Sequence, residues 1–270
     1  MLALQPFYNF PIILGYLNYY DDIHFSYPSF WKDREYEHES EVLALQKLLG
    51  NKRFECAADI GGGFGRLIES ISNHARKIIL IEPSVVQRTL ATTFLPENIS
   101  IQDGNSEETG LPVKSCDLVV MVRVMHHLPR PENSISEIWR IIKPGGLLVL
   151  EFANSVNFKS RVRHFLNFQS IPLTPIDVGV SIDGKVPFVN HNPKTVMLLL
   201  QREGFVELDQ LSVSNFRSLF LKKLLPTRIL LVLEQLLRRP LSLVRFGPSI
   251  FIMAKRPNGL KAKGVERLYK

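Results

Sequence analysis

The run Asp59-Ile60-Gly61-Gly62-Gly63-Phe64-Gly65-Arg66 sets a carboxylate beside four glycines. It follows an apolar stretch, Phe54 to Ala58, and a second acid, Glu82, closes another, Ile78 to Ile81. This spacing predicts strand, tight glycine loop, helix, strand, acid. Glycines let such a loop turn sharply and press against a ligand, and an acid at the second strand end accepts ribose hydroxyls. The chemistry indicated is nucleoside binding. A dinucleotide needs G-x-G-x-x-G and a helix N-terminus open to pyrophosphate. Here the third glycine of that pattern, counted from Gly61, falls on Arg66, and Asp59 would repel a pyrophosphate laid over the loop. A phosphate-free, cationic nucleoside fits better than a nicotinamide dinucleotide.

The pattern Asp59-x-Gly61-x-Gly63-x-Gly65 resembles the first motif of class I S-adenosylmethionine-dependent methyltransferases, and the following segments occur in that family's order. Ile78 to Ser84 resembles the second motif, which implies Glu82, with Pro83 beside it, at the ribose. Ser100 to Glu108, ahead of Leu111-Pro112, resembles the adenine-binding loop. The family's acid in that loop aligns with Asn105, or with Asp103 in a shifted alignment, so Asn105 and Ser106 are implied at the adenine. Asp117 to Met121 reads as the fourth strand. Val124-Met125-His126-His127-Leu128 resembles the segment after it in the small-molecule and quinone-type branch. Ile141 to Leu150 reads as helix end, Pro-Gly-Gly turn and fifth strand. The resemblance covers residues 54 to 152 and implies S-adenosyl-L-methionine as cofactor, with Asp59, Gly61, Gly62, Gly63 and Gly65 around its methionine part.

Methyl transfer from a sulfonium is an in-line displacement, so orientation and dryness supply much of the acceleration. A base is needed only where the acceptor must lose a proton. His126 and His127 follow the fourth strand and are the candidate bases, with fold packing as the alternative for each. Arg123 emerges at the same strand end, where a cation can hold the cofactor's carboxylate or an anionic substrate group; the alternative is an ion pair. Trp31, Arg34 and Tyr36 are placed to close over the methionine moiety or to pack. Glu151, Asn154, Asn157, His164 and His191 are weaker substrate-site candidates. Two cysteines, Cys56 and Cys116, offer no metal-ligand spacing, and no metal is expected.

These residues need a scaffold. The alternation of apolar and helical segments predicts an α/β fold: a doubly wound, seven-stranded, mostly parallel sheet, the Rossmann-like methyltransferase fold, with helical insertions over the carboxyl ends of the strands. Helices are expected over Glu35 to Leu49, Arg66 to Ser72, Ser84 to Thr93, Pro131 to Ile142 and Asn192 to Glu203. The sixth strand is expected over Phe205 to Val213 and the seventh, antiparallel in the family, over Ser249 to Ala254. Residues 1–50 are expected to form a helical cover and 51–270 the methyltransferase domain. Insertions at 154–191, expected to be irregular, and at 214–248, expected to be helical, would form a substrate lid. In the second insertion the apolar positions Phe216, Leu219, Phe220, Leu224 and Leu225 are expected to pack on the domain.

The net charge of +7 is unevenly spread: Asn215 to Lys270 holds 13 Lys/Arg and two acids, whereas the preceding residues hold 20 Lys/Arg and 24 Asp/Glu. Such a segment can attract nucleic acid, an anionic membrane surface through 215–248, or an acidic substrate, or it can be a solvated face. Neither a signal peptide nor a membrane span is read, and a cytoplasmic protein, peripheral at most to a membrane, is expected. The leading reading is an enzyme methylating a small-molecule or lipid-like substrate. An RNA methyltransferase using the basic region is the alternative enzyme, disfavoured because no RNA-binding platform is visible. A non-catalytic cofactor-binding or membrane-surface module is the alternative from another class.

Overall fold

The computed structural model describes residues 20–21, 27–178 and 188–259. The expected cover, lid and basic tail therefore lie outside the described residues at 1–19 and 22–26, 179–187, and 260–270.

Seven strands form the main sheet: β1 (Phe54–Ile60), β2 (Ala75–Ile81), β3 (Ser100–Gln102), β4 (Cys116–Met121), β5 (Ile142–Ala153), β8 (Val206–Val213) and β9 (Ser249–Lys255). Their order is β3-β2-β1-β4-β5-β9-β8. All neighbours pair in parallel except β9, which is antiparallel to both β5 and β8. The two short strands β6 (Ile176–Asp177) and β7 (Val189–Asn190) pair with each other outside it. Chain order reverses between β1 and β4, whose residues Asp59 and Val120 face each other across the ladder. That reversal opens a crevice beyond the strands' carboxyl ends, the usual ligand position in such sheets.

The central strands read as continuous apolar runs because both faces are covered. Val119 and Met121 enter one core, while Leu118 and Val120 enter the other, following the strand's alternation. The first core is closed by α5 (Glu132–Ile141) and α7 (Pro193–Glu203); the second by α2 (Glu35–Leu49), which follows the short α1 (Tyr27–Phe30), and by α3 (Ile68–Ser72) and α4 (Val85–Phe94). Fully buried side chains such as Phe152 and Phe251 each stabilise the fold by about 1.5–3 kcal/mol. Helix ends follow the expected signals. Asn192 caps α7 by accepting from Lys194 N, and Gly204 stops it with a left-handed φ of 110°. The Pro-Gly-Gly turn lies within β5, where the register to β4 shifts between Cys116 and Leu118.

Two expectations are corrected. The insertion at 154–191 is not irregular throughout, because Phe158–Leu166 forms a helix, α6, capped by Asn157 accepting from Ser160 N. In the other insertion lie α8 (Leu219–Leu224) and α9 (Thr227–Leu243), but the apolar stripe packs only in part: Phe216 and Leu225 are half-buried, whereas Leu219, Phe220 and Leu224 are exposed. Helix α9, for its part, meets the domain through polar groups. β8 is an edge strand, and its unpaired backbone groups need polar partners. Ser212 N donates to Ser242 Oγ on α9 (2.7 Å), and Arg238 Nη1 donates to Leu43 O on α2 (3.0 Å). Glu234, fully buried on the same helix face, accepts from Tyr36 Oη (2.6 Å) and from the Asn215 backbone and amide.

Candidate active site

The glycine loop leaves β1 at its carboxyl end. Gly61 has φ 67°, and a Cβ there would collide with Val124; Gly63 has φ 58°, and a Cβ there would lie 3.2 Å from the Tyr27 ring. An L side chain would be strained at both positions. Gly62 lies over Asp59 and Leu80, and Gly65 over Leu95. The Gly63 backbone N donates to Glu82 Oε2 and Ser84 N to Glu82 Oε1, each at 2.9 Å. One carboxylate thus joins the glycine loop to the start of α4. Arg88 Nη1 donates to the carbonyls of Glu82 and Pro83, fixing the turn between them.

Asp59 is buried, and its Oδ2 has no hydrogen-bond partner among the described residues. Burial, with Arg66 acting against it and the Glu82 charge adding to it, raises the Asp59 carboxyl to about 7. Burial likewise raises Glu82 to about 7, against the opposing hydrogen bonds from Ser84 and Gly63. Two acids poised at this level beside a cleft mark a functional site on physical grounds. Gln87, in the first turn of α4, also has both amide atoms buried without partners, and its Oε1 lies 4.0 Å from the position a Gly63 Cβ would take.

Arg123 has a left-handed φ of 65°, and its backbone N donates to Glu151 Oε2 (2.9 Å). Backbone strain of this kind costs on the order of 1–3 kcal/mol and gathers at functional sites. Its guanidinium meets Glu41 of α2 at 2.6 Å, and Arg66 meets the other oxygen of Glu41, also at 2.6 Å. Burial pushes Glu41 up, but Arg123 and Arg66 outweigh it and hold the carboxyl below its usual range. Trp31 closes the cluster, with the Arg66 guanidinium 3.7 Å from its ring centroid. Of the two expectations for Arg123, a ligand contact or an ion pair, the ion pair is present, and it ties Arg123 into the bolt that fastens α2 over the loop.

The loop after β3 is folded on itself. Asn105 Oδ1 accepts from the backbone N of Glu107 (2.8 Å) and of Glu108 (3.0 Å), while Asp103 pairs with Arg88 at 2.6 Å. Ser106 is buried and shares a hydrogen bond with Ser134 at 2.8 Å.

After β4, His126 and His127 lie with ring centroids 4.0 Å apart in a short 3₁₀ turn. His126 stacks on Phe188, and burial, with His127 and Arg123 adding to it, holds its pKa well below the usual value. His127 Nε2 shares a hydrogen bond with Tyr20 Oη at 2.8 Å. The neighbouring Asp21 Oδ1 accepts from Ser84 Oγ (2.6 Å) and Val86 N (3.2 Å). Residues 20–21 therefore lie across the crevice from α4 to the histidine pair.

The weaker candidates are engaged in the fold. Asn154 Nδ2 donates to the carbonyls of Arg245 and Gly247, and Asn157 caps α6. His164 Nδ1 lies 2.8 Å from Ser160 O, His191 Nε2 2.8 Å from Met125 O, and Ser249 Oγ donates to Glu151 Oε1 at 2.5 Å. Tyr36 Oη donates to Glu234 on α9 and accepts from Phe216 N. Glu41, Gln87 and the Tyr20-Asp21 pair escaped the sequence reading. Glu41 had a visible signal, because it shares a helix face with the buried Leu45, Leu48 and Leu49, where an acid requires a partner.

Comparison with known proteins bears on the class of this site. Residues 58–150 match the family model of the methyltransferase domain. That stretch has the sequence pattern of a methyltransferase domain. An uncharacterized methyltransferase of Bacillus mycoides is 28% identical to the chain over 142 residues, covering 51% of this chain and 66% of that protein. A probable S-adenosylmethionine-dependent methyltransferase of Mycolicibacterium smegmatis is 30% identical over 101 residues, 37% of this chain and 38% of that one. The crystal structure of a methyltransferase from Thermotoga maritima, described as a possible histamine N-methyltransferase, superposes with a TM-score of 0.55 at 20% identity. That superposition covers 85% of this chain and 94% of the other, and at such identity it shows the fold alone. S-adenosyl-L-methionine is the cofactor that these likenesses imply.

Proposed function

We propose that this methyltransferase domain transfers the cofactor's methyl group to a small organic or lipid-like acceptor, as a cytoplasmic enzyme working at a membrane surface. The observation that carries the cofactor part is the pair of buried acids at the carboxyl ends of β1 and β2, Asp59 and Glu82. The unsatisfied Asp59 Oδ2 suits a ligand bearing an ammonium group and hydroxyls, since a buried carboxylate oxygen without a donor is costly. The lack of lysine or arginine among Asp59 to Gly65 suits a ligand without phosphate.

In this reading Asp59 and the backbone of Gly61, Gly62, Gly63 and Gly65 hold the methionine side. Glu82, beside Pro83, accepts the ribose hydroxyls through lone pairs left free by its two backbone donors. Ser106 borders the adenine, and Asn105 acts by shaping that loop, because its amide oxygen is already taken by two backbone groups. Arg123 orients rather than binds, through Glu41. The bound cofactor supplies an activated methyl group on sulfonium sulfur. The chain's own part is to orient the acceptor and exclude water. His127, bonded to Tyr20, serves as base where the acceptor must lose a proton, while His126, whose protonated form is disfavoured by burial, serves packing.

The lipid-like class is favoured over polar metabolites by the exposed apolar helices α6 and α8, which follow the carboxyl ends of β5 and β8. The test is incubation with methyl-tritiated S-adenosylmethionine and fractionated cell extract, with Glu82→Ala as the control. Label in the organic-soluble or small-molecule fraction supports the reading. Label confined to RNA transfers the function to the basic segment 215–270, and label nowhere leaves a cofactor-binding module as the better account.

A further inference from the structure

Helix α9 is built inside out. Leu230, Glu234, Arg238 and Ser242, four residues apart, form its buried face, which is polar at three of its four positions. Ile229, Val232, Leu236 and Leu243 lie 47, 54, 71 and 87% exposed. An ordinary surface helix has the opposite arrangement. The inward polarity is explained by the edge strand and the α2 carbonyl that it serves, but the outward apolar stripe has no such explanation within the described residues. Helix α8, which leads into it, exposes Leu219 and Phe220 at 75 and 72%.

The stripe continues onto a neighbouring element. Phe158, the first residue of α6, donates its backbone N to Phe246 O just after α9, and the two rings stack at 5.0 Å. Along α6 and the turn after it, Phe165 is 78% and Phe168 98% exposed. Exposed apolar side chains on this scale mark an interaction surface.

Charge selects the partner. Helix α6 holds no acid, α8 holds none, and the single acid of α9, Glu234, is fully buried. The exposed charges between the apolar side chains, Lys159, Arg161, Arg163, Lys223 and Arg228, are therefore all basic. A second copy of the chain packed face to face would bring like charges together, which disfavours dimerisation. Large exposed apolar groups with flanking Lys/Arg and no acids match the interface of a bilayer carrying anionic headgroups.

We infer that α6, α8 and α9 form a docking face for the surface of an anionic phospholipid bilayer, inserting apolar side chains while lysines and arginines meet the headgroups. Among the described residues no helix is long and apolar enough to cross a membrane, so the contact is one of lying on the surface. The inference is independent of methyl transfer, and its test needs no cofactor.

The experiment is cosedimentation of the whole protein with vesicles of phosphatidylcholine alone and with about one-third phosphatidylglycerol, at about 0.15 M salt. Two double variants are compared: Lys223→Glu with Arg228→Glu, and Phe220→Ser with Leu236→Ser. Native circular dichroism and an unchanged thermal midpoint show that each variant is folded. Partition onto anionic vesicles is expected, with little onto neutral ones. Each basic residue near the surface is worth about fivefold in partition, so the charge reversals should weaken it by more than about twentyfold, and the serine variant by at least tenfold. No binding to anionic vesicles overturns the inference. Binding that survives both double variants overturns it equally, since the contact then lies elsewhere on the chain. Self-association or RNA binding that the variants abolish, without vesicle binding, assigns the face to another partner.

Discussion

Cofactor affinity should fall steeply below neutral pH, because both acids beneath the glycine loop must be ionised to accept the ligand's donors. Asp59 and Glu82 are each raised to about 7, chiefly by burial. With both at that value, the doubly ionised fraction of free protein is about one quarter at pH 7 and about one part in 120 at pH 6. Apparent affinity scales with the competent fraction, so it should drop about 30-fold from pH 7 to pH 6 and rise only about threefold from pH 7 to pH 8. Binding at pH 7 should also release about one proton in total, half from each acid. Isothermal titration with S-adenosylhomocysteine at pH 6, 7 and 8, in two buffers of different ionisation enthalpy, reads both quantities. Asp59→Asn should halve the logarithmic slope between pH 6 and 7 and the proton release. Affinity that is flat across this range, with no proton released, would refute the argument that burial and not existing hydrogen bonds sets the state of these acids.

Stability should show the opposite sign. An acid raised in the folded state stabilises most at low pH, and that contribution is lost as pH rises from the unfolded value near 4 to about 7. Asp59→Asn should therefore raise the thermal midpoint of the ligand-free protein at pH 8, with the gain shrinking toward pH 5, as differential scanning calorimetry can follow. Glu41→Gln leaves the Arg66 and Arg123 guanidinium groups close together without their shared carboxylate, and breaking a buried pair costs about 3–5 kcal/mol. The thermal midpoint should fall by about 10 °C, with Glu41→Asp losing less, whereas a midpoint within a degree or two of native would show that the cluster does not fasten α2. Gln87→Ala should weaken S-adenosylhomocysteine binding by about tenfold while leaving stability unchanged or higher, because its unpartnered amide costs energy until a ligand meets it. Unchanged affinity in the titration would make it a packing residue.

How much of this was legible in the sequence depended on whether a signal was local. Strand runs, the glycine loop, Glu82 and the Asn192-Pro193 to Gly204 helix all declare themselves within a few residues, and the sheet order follows from the family's topology. Arg123 was legible as a strand-end cation, but its partner Glu41 is 82 residues away and joins it only when α2 folds over the loop. Asn105 matched a motif position, yet the turn formed by Glu107 and Glu108 claims its oxygen. The packing of the stripe at Leu219, Phe220 and Leu224 was misjudged for a similar reason. Apolar periodicity shows that a helix has two faces, but which one turns inward depends on the neighbour, and an edge strand asks for hydroxyl, guanidinium and carboxylate groups.

The central claim is that the cleft beside Asp59 and Glu82 holds the S-adenosyl group, and a crystal structure of the protein with S-adenosylhomocysteine tests it most directly. The account predicts ribose hydroxyls within hydrogen-bond distance of Glu82, the methionine part between Asp59 and Gly61 to Gly63, and the adenine beside Ser106. Ligand density elsewhere, or a ribose away from Glu82 with Asp59 Oδ2 still unpartnered, would contradict it.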